Sequence, residues 1–371
     1  MKILVTGGAG FIGSHLVDEL IQKGYRVRIL DNLSPQVHKN QKPPEYLNKK
    51  AEFIKGDIRD QNILWEVMKD IDVIFHFAAS VGVGQSMYKI RDYMEVNVIG
   101  TANILQLILD HEKDLKKLIV ASSMSIYGEG AYSCKNCGKV YPKERSLKQL
   151  KEKKWELFCP NCGEILKPIP TPEDKPLYPA SIYAISKRDQ EEMVLTFGKA
   201  YKIPTVALRF FNVYGSRQAL SNPYTGVAAI FSSRLLNHNP PIIFEDGLQS
   251  RDFIHVKDIV RACILALESD KANYNVFNVG TGKPITILKI AEILKDALKI
   301  DIKPKIENKF RSGDIRHCFS DNKKIEDLLN FKISVSFEDG IIDLINWIKD
   351  QKPEDLVEKA KMELEEKGLT I

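Results

Sequence analysis

The 371-residue sequence has no run of about 18 apolar residues, so no membrane-spanning helix and no membrane partner are expected. It also lacks a concentrated basic stripe. Its 54 Lys and Arg are scattered among 49 Asp and Glu, for a net charge of +5. That is too weak and too diffuse for a nucleic-acid partner, although it suits a diphosphate-bearing ligand. Internal repeats and low-complexity tracts are missing as well. Cysteine is scarce, at six residues, and four of the six fall in two Cys-x-x-Cys pairs. The apolar start Met1–Val5 breaks at once into Thr6-Gly7-Gly8 and reads as a strand, not a signal peptide. A cytoplasmic location is therefore expected, in which paired cysteines point to metal and not to disulfides.

What is present is alternation. Short Val/Ile-rich runs (Lys2–Thr6, Arg26–Leu30, Ala51–Ile54, Val73–Phe77, Lys117–Ser122) are separated by amphipathic stretches such as Phe11–Lys23, Gln61–Lys69 and Tyr93–Asp110. Strands alternating with helices predict crossover units and an α/β, Rossmann-type doubly wound parallel sheet. A strand at Thr205–Phe211 follows the helical Tyr183–Tyr201, and Phe277–Val279 is a candidate last sheet strand. Residues 1–128 plus 171–215 form the expected dinucleotide-binding domain. Residues 216–350, with helices at Ala228–Asn237, Val256–Glu268, Ile287–Leu298 and Glu338–Lys349, form mainly a smaller substrate lobe, some segments returning to the first domain. Within 351–371, Pro353–Lys367 reads as a charged, solvated helix with no chemistry.

The first strand runs into Thr6-Gly7-Gly8-Ala9-Gly10-Phe11-Ile12-Gly13 and then a helix. Gly7 permits a tight turn, Gly10 lets backbone approach a pyrophosphate, and Gly13 lets helix and sheet pack closely. Phe11 and Ile12 open a helix whose N-terminus offers N–H groups and a positive dipole end to phosphates. The second strand ends at Asp31-Asn32, 18 residues after Gly13. A carboxylate there accepts ribose hydroxyls and repels a 2′-phosphate, which favours NAD over NADP. Asp57 and Ile58, at the third strand's end, are candidates for the adenine side. Asp57 reads alternatively as a helix N-cap before Arg59.

Tyr183 and Lys187 lie four apart, on one helix face. A cation beside the phenol, together with a bound nicotinamide, lowers its ordinary pKa of about 10 toward that of a base working near neutral pH. The Ser-rich strand end Ala121–Gly128 supplies a partner: Ser123 is the first candidate to share the proton, with Ser122 and Ser125 as alternatives.

Residues 129–170 break the alternation and look like an insertion. Cys134-x-x-Cys137-Gly and Cys159-x-x-Cys162-Gly, 21 residues apart, form two turns that together complete a tetrahedron of thiolates. Structural zinc in a ribbon is expected, with rubredoxin-like iron as the alternative. Val140-Tyr141 and Trp155–Phe158 are the expected ribbon strands.

Taken together, these motifs resemble the extended short-chain dehydrogenases/reductases of the sugar-nucleotide epimerase and dehydratase family, from residue 1 to about 350. The resemblance implies that His76-Phe77-Ala78-Ala79 lines the cofactor and that Asn97 contacts its diphosphate. It further implies that Asn212, Arg251 and Arg311 (in Arg311-Ser312-Gly313-Asp314) hold the diphosphate of a nucleotide-sugar substrate, as paired guanidinium donors can. The family's dehydratases carry Asp-Glu after the catalytic hydroxyl, whereas Met124-Ser125 stands here and cannot do that acid–base work. Its reductases usually use NADPH, against which Asp31 argues. Epimerisation remains: transient oxidation at C4, rotation of the keto sugar, and re-reduction on the opposite face. Cys318 falls near the position limiting sugar size and equally reads as a packing residue.

The inserted knuckles and the run Arg217–Gly226 are similar to bacterial dTDP-L-rhamnose 4-epimerases, which implies dTDP-L-rhamnose and dTDP-6-deoxy-L-talose as substrates for polysaccharide synthesis. A UDP-hexose or UDP-uronate 4-epimerase is the second reading, and a non-catalytic NAD-binding zinc-ribbon regulator the third. The resemblance also implies a homodimer through helices around Tyr93–Asp110 and Ser186–Tyr201.

Overall fold

The computed structural model describes residues 1–370. Seven strands, β1 (Lys2–Thr6), β2 (Arg26–Asp31), β3 (Glu52–Lys55), β4 (Val73–His76), β5 (Lys117–Ser123), β6 (Thr205–Phe210) and β7 (Asn275–Val279), form one sheet in the order β7-β6-β5-β4-β1-β2-β3. Every pairing in it is parallel. β1, β4, β5 and β6 are buried on both faces, which is why they read as continuous apolar runs. One face is covered by α1 (Phe11–Gln22) and the helix Val256–Glu268, the other by Gln61–Met68, α2 (Gly100–Asp110) and α3 (Ile182–Tyr201). Strand order reverses between β1 and β4, so a crevice opens at their carboxyl ends.

The helix expected over Tyr93–Asp110 is α-helical from Gly100, but Met94–Ile99 forms a wider π-turn. That turn carries the buried Asn97. The second lobe has its own core, built by Val227–Leu236, Ile287–Leu298 and Phe337–Ile348 around Phe253 and Ile243. Strand β7 returns from this half of the chain to the edge of the first sheet.

In the insertion, Ala131–Cys134 pairs antiparallel with both Gly138–Val140 and Lys167–Ile169. The expected partnership of Val140-Tyr141 with Trp155–Phe158 does not form. Val140 sits opposite Tyr132, and Phe158 makes one isolated bridge to Ile165. Each Cys-x-x-Cys turn folds its arm back on the adjacent chain, so each knuckle pairs locally.

A second correction concerns the charged tail. Helix α4 (Val357–Glu366) is not a solvated appendage: Ala360 and Leu364 are buried, and the Glu363 carboxylate accepts hydrogen bonds from the Tyr88 and Tyr224 hydroxyls at 2.7 and 2.9 Å. Three of its apolar residues recur at the spacing of one helical stripe (Val357, Ala360, Leu364), and that stripe faces the crevice, while Met362 is exposed.

Candidate active site

The crevice is a cleft of about 630 Å³ running from the Gly-rich turn to α4, a volume suited to a cofactor and a substrate together. Its floor at one end is the turn after β1. Gly7 has φ +71°, and a Cβ there would lie 2.7 Å from the backbone N of Ala78. A Cβ on Gly13 would lie 2.3 Å from the Gly7 carbonyl oxygen. Only glycine fits either place. Gly10 caps α1 in extended geometry, and no side chain accepts from the first turn. The N–H groups of Phe11 and Ile12 thus open on the cleft with the dipole behind them. This cradle of bare backbone fits a dinucleotide pyrophosphate.

Asp31, at the end of β2, lines the cleft while accepting from the backbone N–H groups of Ala9 (3.0 Å) and Leu33 (2.9 Å). These bonds lock the carboxylate where a ribose diol would meet it. Asn32 donates to Asp57 at 2.9 Å, and both line the cleft. The Arg59 guanidinium, with help from Asn32, holds the Asp57 carboxyl down at about 2. Asp57 is not the cap of the following helix; Asp60 is, accepting from Asn62 and Ile63. Ile58 packs under Gly100 and faces the cleft, beside the wall of Phe77, Ala78 and Ala79.

Mid-cleft, β5 delivers Ser123 and α3 delivers Tyr183 and Lys187 to one wall. Ser123 caps the short turn Met124–Tyr127 and accepts from Ser125 Oγ at 2.9 Å. The alternative Ser122 is already engaged: its hydroxyl donates to Glu191 at 2.6 Å in a buried contact. Ser123 and Ser125 therefore remain as the hydroxyls available to a ligand. Burial raises the Tyr183 phenol, and the Ser123 hydroxyl pulls it back down. Burial lowers the Lys187 ammonium to about 7, which the Glu191 carboxylate only partly resists.

Behind Lys187 lies a buried polar chain that sequence reasoning did not foresee. Lys187 Nζ donates to Gln190 Oε1 (2.7 Å), and Gln190 Nε2 donates to Thr101 Oγ1 (2.8 Å). His76 Nε2 lies 2.9 Å from Thr101 Oγ1, and His76 Nδ1 2.8 Å from Thr6 Oγ1 at the Gly-rich turn. Such a satisfied network fixes the rotamers of both the proton site and the phosphate turn. Asn97 is not on the cleft wall. It donates to the Ser80 carbonyl and to Ser186 Oγ and accepts from Ser80 N–H, so it anchors the segment after Ala79.

The substrate lobe closes the other side. Asn212 lines the cleft with a buried, unpartnered Oδ1, which is costly unless a ligand meets it. Arg251 lines the cleft while donating to the carbonyls of Ile315 (2.6 Å) and Arg316 (3.0 Å). Arg311 pairs with Asp314 (2.8 Å) and stacks 4.5 Å over Phe244. Of the two readings of Cys318, the packing residue fits, and it does not itself line the cleft. It is fully buried on a strand paired with Arg251, packed with Met124, Tyr127, Phe211 and Ile315. It lies behind Met124, Phe211 and Ile315, which line the cleft in its place.

Sequence reasoning missed Gln218, Asn222 and Tyr224, which line the cleft from within the unusual run Arg217–Gly226. It also missed Phe244, Glu245, Gln249 and the α4 residues Val357, Ala360, Lys361 and Leu364. The stripe on α4 was the available signal for the last group.

In the insertion, the sulfurs of Cys134, Cys137, Cys159 and Cys162 lie within 4.8 Å of one another, and all four are free thiols. A tetrahedral ion with bonds of about 2.3 Å needs sulfurs about 3.8 Å apart, and Cys134 and Cys162 stand 3.5 Å apart. The set fits a four-thiolate metal centre with no position open to a reactant.

A parallel sheet with a glycine phosphate turn, an acidic second-strand end and a Ser/Tyr/Lys wall defines a nicotinamide-dinucleotide enzyme of the short-chain dehydrogenase/reductase type. The chain belongs to the NAD dependent epimerase/dehydratase family, whose model matches residues 3–146 and 160–280. The unmatched stretch between these segments falls inside the cysteine-bearing insertion. The chain is 34% identical over 354 residues to a dTDP-L-rhamnose 4-epimerase of Burkholderia thailandensis, covering 94% of each. It is equally 34% identical, over 349 residues, to a putative UDP-glucose 4-epimerase of Methanocaldococcus jannaschii, covering 94% of this chain and 98% of that protein. Its fold is similar to the crystal structure of UDP-glucuronic acid 4-epimerase from Bacillus cereus in complex with UDP-glucuronic acid and NAD. The TM-score is 0.75 at 28% identity, over 94% of this chain and 99% of that one.

Proposed function

We propose that this chain is an NAD-dependent nucleotide-sugar 4-epimerase acting on dTDP-L-rhamnose and dTDP-6-deoxy-L-talose. One observation carries the reaction type. Ser123, Tyr183 and Lys187 share a wall of the cleft, and the residues directly after Ser123 are Met124 and Ser125, not carboxylates. A proton can be removed and returned there, but no acid–base pair is at hand to expel water. The similarity to the Burkholderia enzyme supports the substrate.

Gly7, Gly10, Phe11, Ile12 and Gly13 would hold the diphosphate of NAD, and Asp31 its adenosine ribose. NAD, when bound, supplies the two-electron acceptor and donor for the sugar carbon. Tyr183 Oη takes the proton of the sugar 4-hydroxyl and later gives it back. Ser123 Oγ holds that hydroxyl, and the Lys187 ammonium favours the phenolate. Asn212, Arg251 and Arg311 grip the diphosphate, leaving the sugar free to present its other face. Binding energy is thus spent away from the reacting carbon. The zinc of this reading sits in the four-thiolate centre and takes no part in proton transfer. The protein is proposed to work as a homodimer, a reading supported by Ile99, 52% exposed on the helix that leads into α2.

Incubation with dTDP-L-rhamnose, UDP-glucose and UDP-glucuronate in turn, without added NAD and followed by proton NMR, tests the proposal. Conversion of dTDP-L-rhamnose to its C4 epimer is expected. Turnover of a UDP sugar alone would install the second reading, which the similarity to the Methanocaldococcus protein favours. A chain that binds NAD and turns over none of the three would be a binding module, against which the complete Ser/Tyr/Lys wall weighs.

A further inference from the structure

The insertion does more than carry a metal. Three of its residues reach out of the ribbon into the substrate lobe. Arg145, 8% exposed, donates to both carboxylate oxygens of Glu245 at 3.0 and 2.8 Å and to the Asp314 carbonyl at 3.3 Å. Glu129, 2% exposed, accepts from the backbone N–H of Arg316 at 2.8 Å and from the Tyr132 hydroxyl at 2.9 Å. Glu156, three residues before Cys159, accepts from Arg316 Nε at 2.9 Å. Arg316 itself is fully buried and bonds Glu245 and Asp246 with its remaining donors.

This knot abuts the cleft directly. Glu245 and Asp314 line it, and so does Arg251, whose guanidinium is held by the carbonyls of Ile315 and Arg316. Four carboxylates (Glu129, Glu156, Glu245, Asp246) are met by two buried guanidiniums, Arg145 and Arg316. Remove Arg145 and one of the two cations on Glu245 is gone. Its carboxylate then faces the cleft close to where a nucleotide diphosphate must sit, and the 311–316 segment loses its tie at Asp314. A bidentate pair buried this deeply is geometrically specific, so the effect is local and directional.

We infer that Arg145 is a positioning residue for nucleotide binding. From the ribbon, it neutralises Glu245 and fixes the 311–316 segment, which carries Arg311 and holds the Arg251 guanidinium through its carbonyls, so that the insertion sets the affinity of the cleft for a nucleoside diphosphate. The inference rests on the nucleotide-sugar reading of the cleft.

Calorimetric titration of the NAD-bound protein with dTDP and with UDP tests it. Arg145→Met should weaken diphosphate binding at least tenfold and raise KM for the sugar nucleotide by a similar factor. In the same variant kcat should change less than threefold, while bound NAD and metal content match the parent. Adding Glu245→Gln to Arg145→Met removes the charge that Arg316 alone no longer offsets and should recover most of the lost affinity. If Arg145→Met does not fold, Arg145→Lys, which keeps the charge but not the paired geometry, should still weaken binding several-fold. Parent-like dTDP and UDP affinity in the variant that folds would overturn the inference. So would an affinity loss that Glu245→Gln leaves untouched, or a fall in kcat with KM unchanged. A parent protein that binds neither dTDP nor UDP would instead overturn the proposed function, and this inference with it.

Discussion

Lys187→Met is expected to inactivate the chain and, below pH 7, to stabilise it. The Lys187 side chain is fully buried in the free protein, and burial brings its ammonium from 10.5 to about 7. At about 1.4 kcal/mol per pH unit, holding the charged form there costs about 5 kcal/mol. Methionine fills a similar volume without that cost. The substitution also strips Gln190 Oε1 of its 2.7 Å donor, which takes back about 1–3 kcal/mol. The net gain at low pH is therefore about 2–4 kcal/mol. Its pH dependence has a definite sign. Between pH 7 and 10.5 the unfolded parent retains the lysine proton and the folded parent has released it, so the parent gains stability as pH rises through that window. Methionine does not titrate. The advantage of the variant is complete below pH 7, shrinks from pH 7 upward, and has reversed by pH 10.5, where only the orphaned Gln190 remains. Denaturant unfolding of NAD-free protein at pH 6.5, 8.5 and 10 reads this directly. A variant less stable than the parent at pH 6.5, or a gap of equal size at all three values, would refute the reasoning.

Tyr183→Phe should lower turnover by roughly 10²–10⁴-fold, with NAD retained at parental stoichiometry by absorbance and mass spectrometry. Gly13→Ala places a methyl 2.3 Å from the Gly7 carbonyl, so co-purified NAD and soluble yield should both collapse. His76 is buried and neutral, its imidazole lowered to about 3 by burial and by nearby Lys187. As pH falls from 6.5 toward 3 the unfolded state takes up this proton first, so the parent should lose up to about 5 kcal/mol across that window. His76→Asn should show a flatter acid profile in the same unfolding assay.

How far the sequence could be read follows from the range of each signal. The Gly-rich turn and the Tyr183/Lys187 pair were legible because strand-to-helix turns and i,i+4 spacing are local. The cysteine knuckles were legible for the same reason, and their sulfurs do converge. The same locality explains the failures. Pairing inside the insertion depends on which arm each knuckle folds back on, and Val140 chose Tyr132 over Trp155–Phe158. Of the two readings of Cys318, the packing one fits: it is fully buried, and its burial behind Met124, Phe211 and Ile315 comes from segments far apart in the chain. Helix α4 looked solvated because charged residues dominate it, yet Val357, Ala360 and Leu364 line the cleft, and Leu364 meets Gly84, 280 residues upstream. Gln218, Glu245 and the chain from Lys187 to Thr6 owe their positions to contacts between distant segments, which no local pattern encodes.

Ala131 sits opposite Ile169, so the insertion leaves and re-enters the parent scaffold through a single two-strand stem. To β5 and α3, which lie on either side of it, the detour is almost invisible. Because closure entropy grows only logarithmically with length, the extra chain adds little to the cost of bringing Ser123 to Tyr183. An exchange made at the stem carries Glu129, Arg145 and Glu156 away with it, so a swapped ribbon must supply new partners for Glu245 and Arg316 to keep that wall of the cleft, while the proton-handling wall on β5 and α3 keeps its alignment.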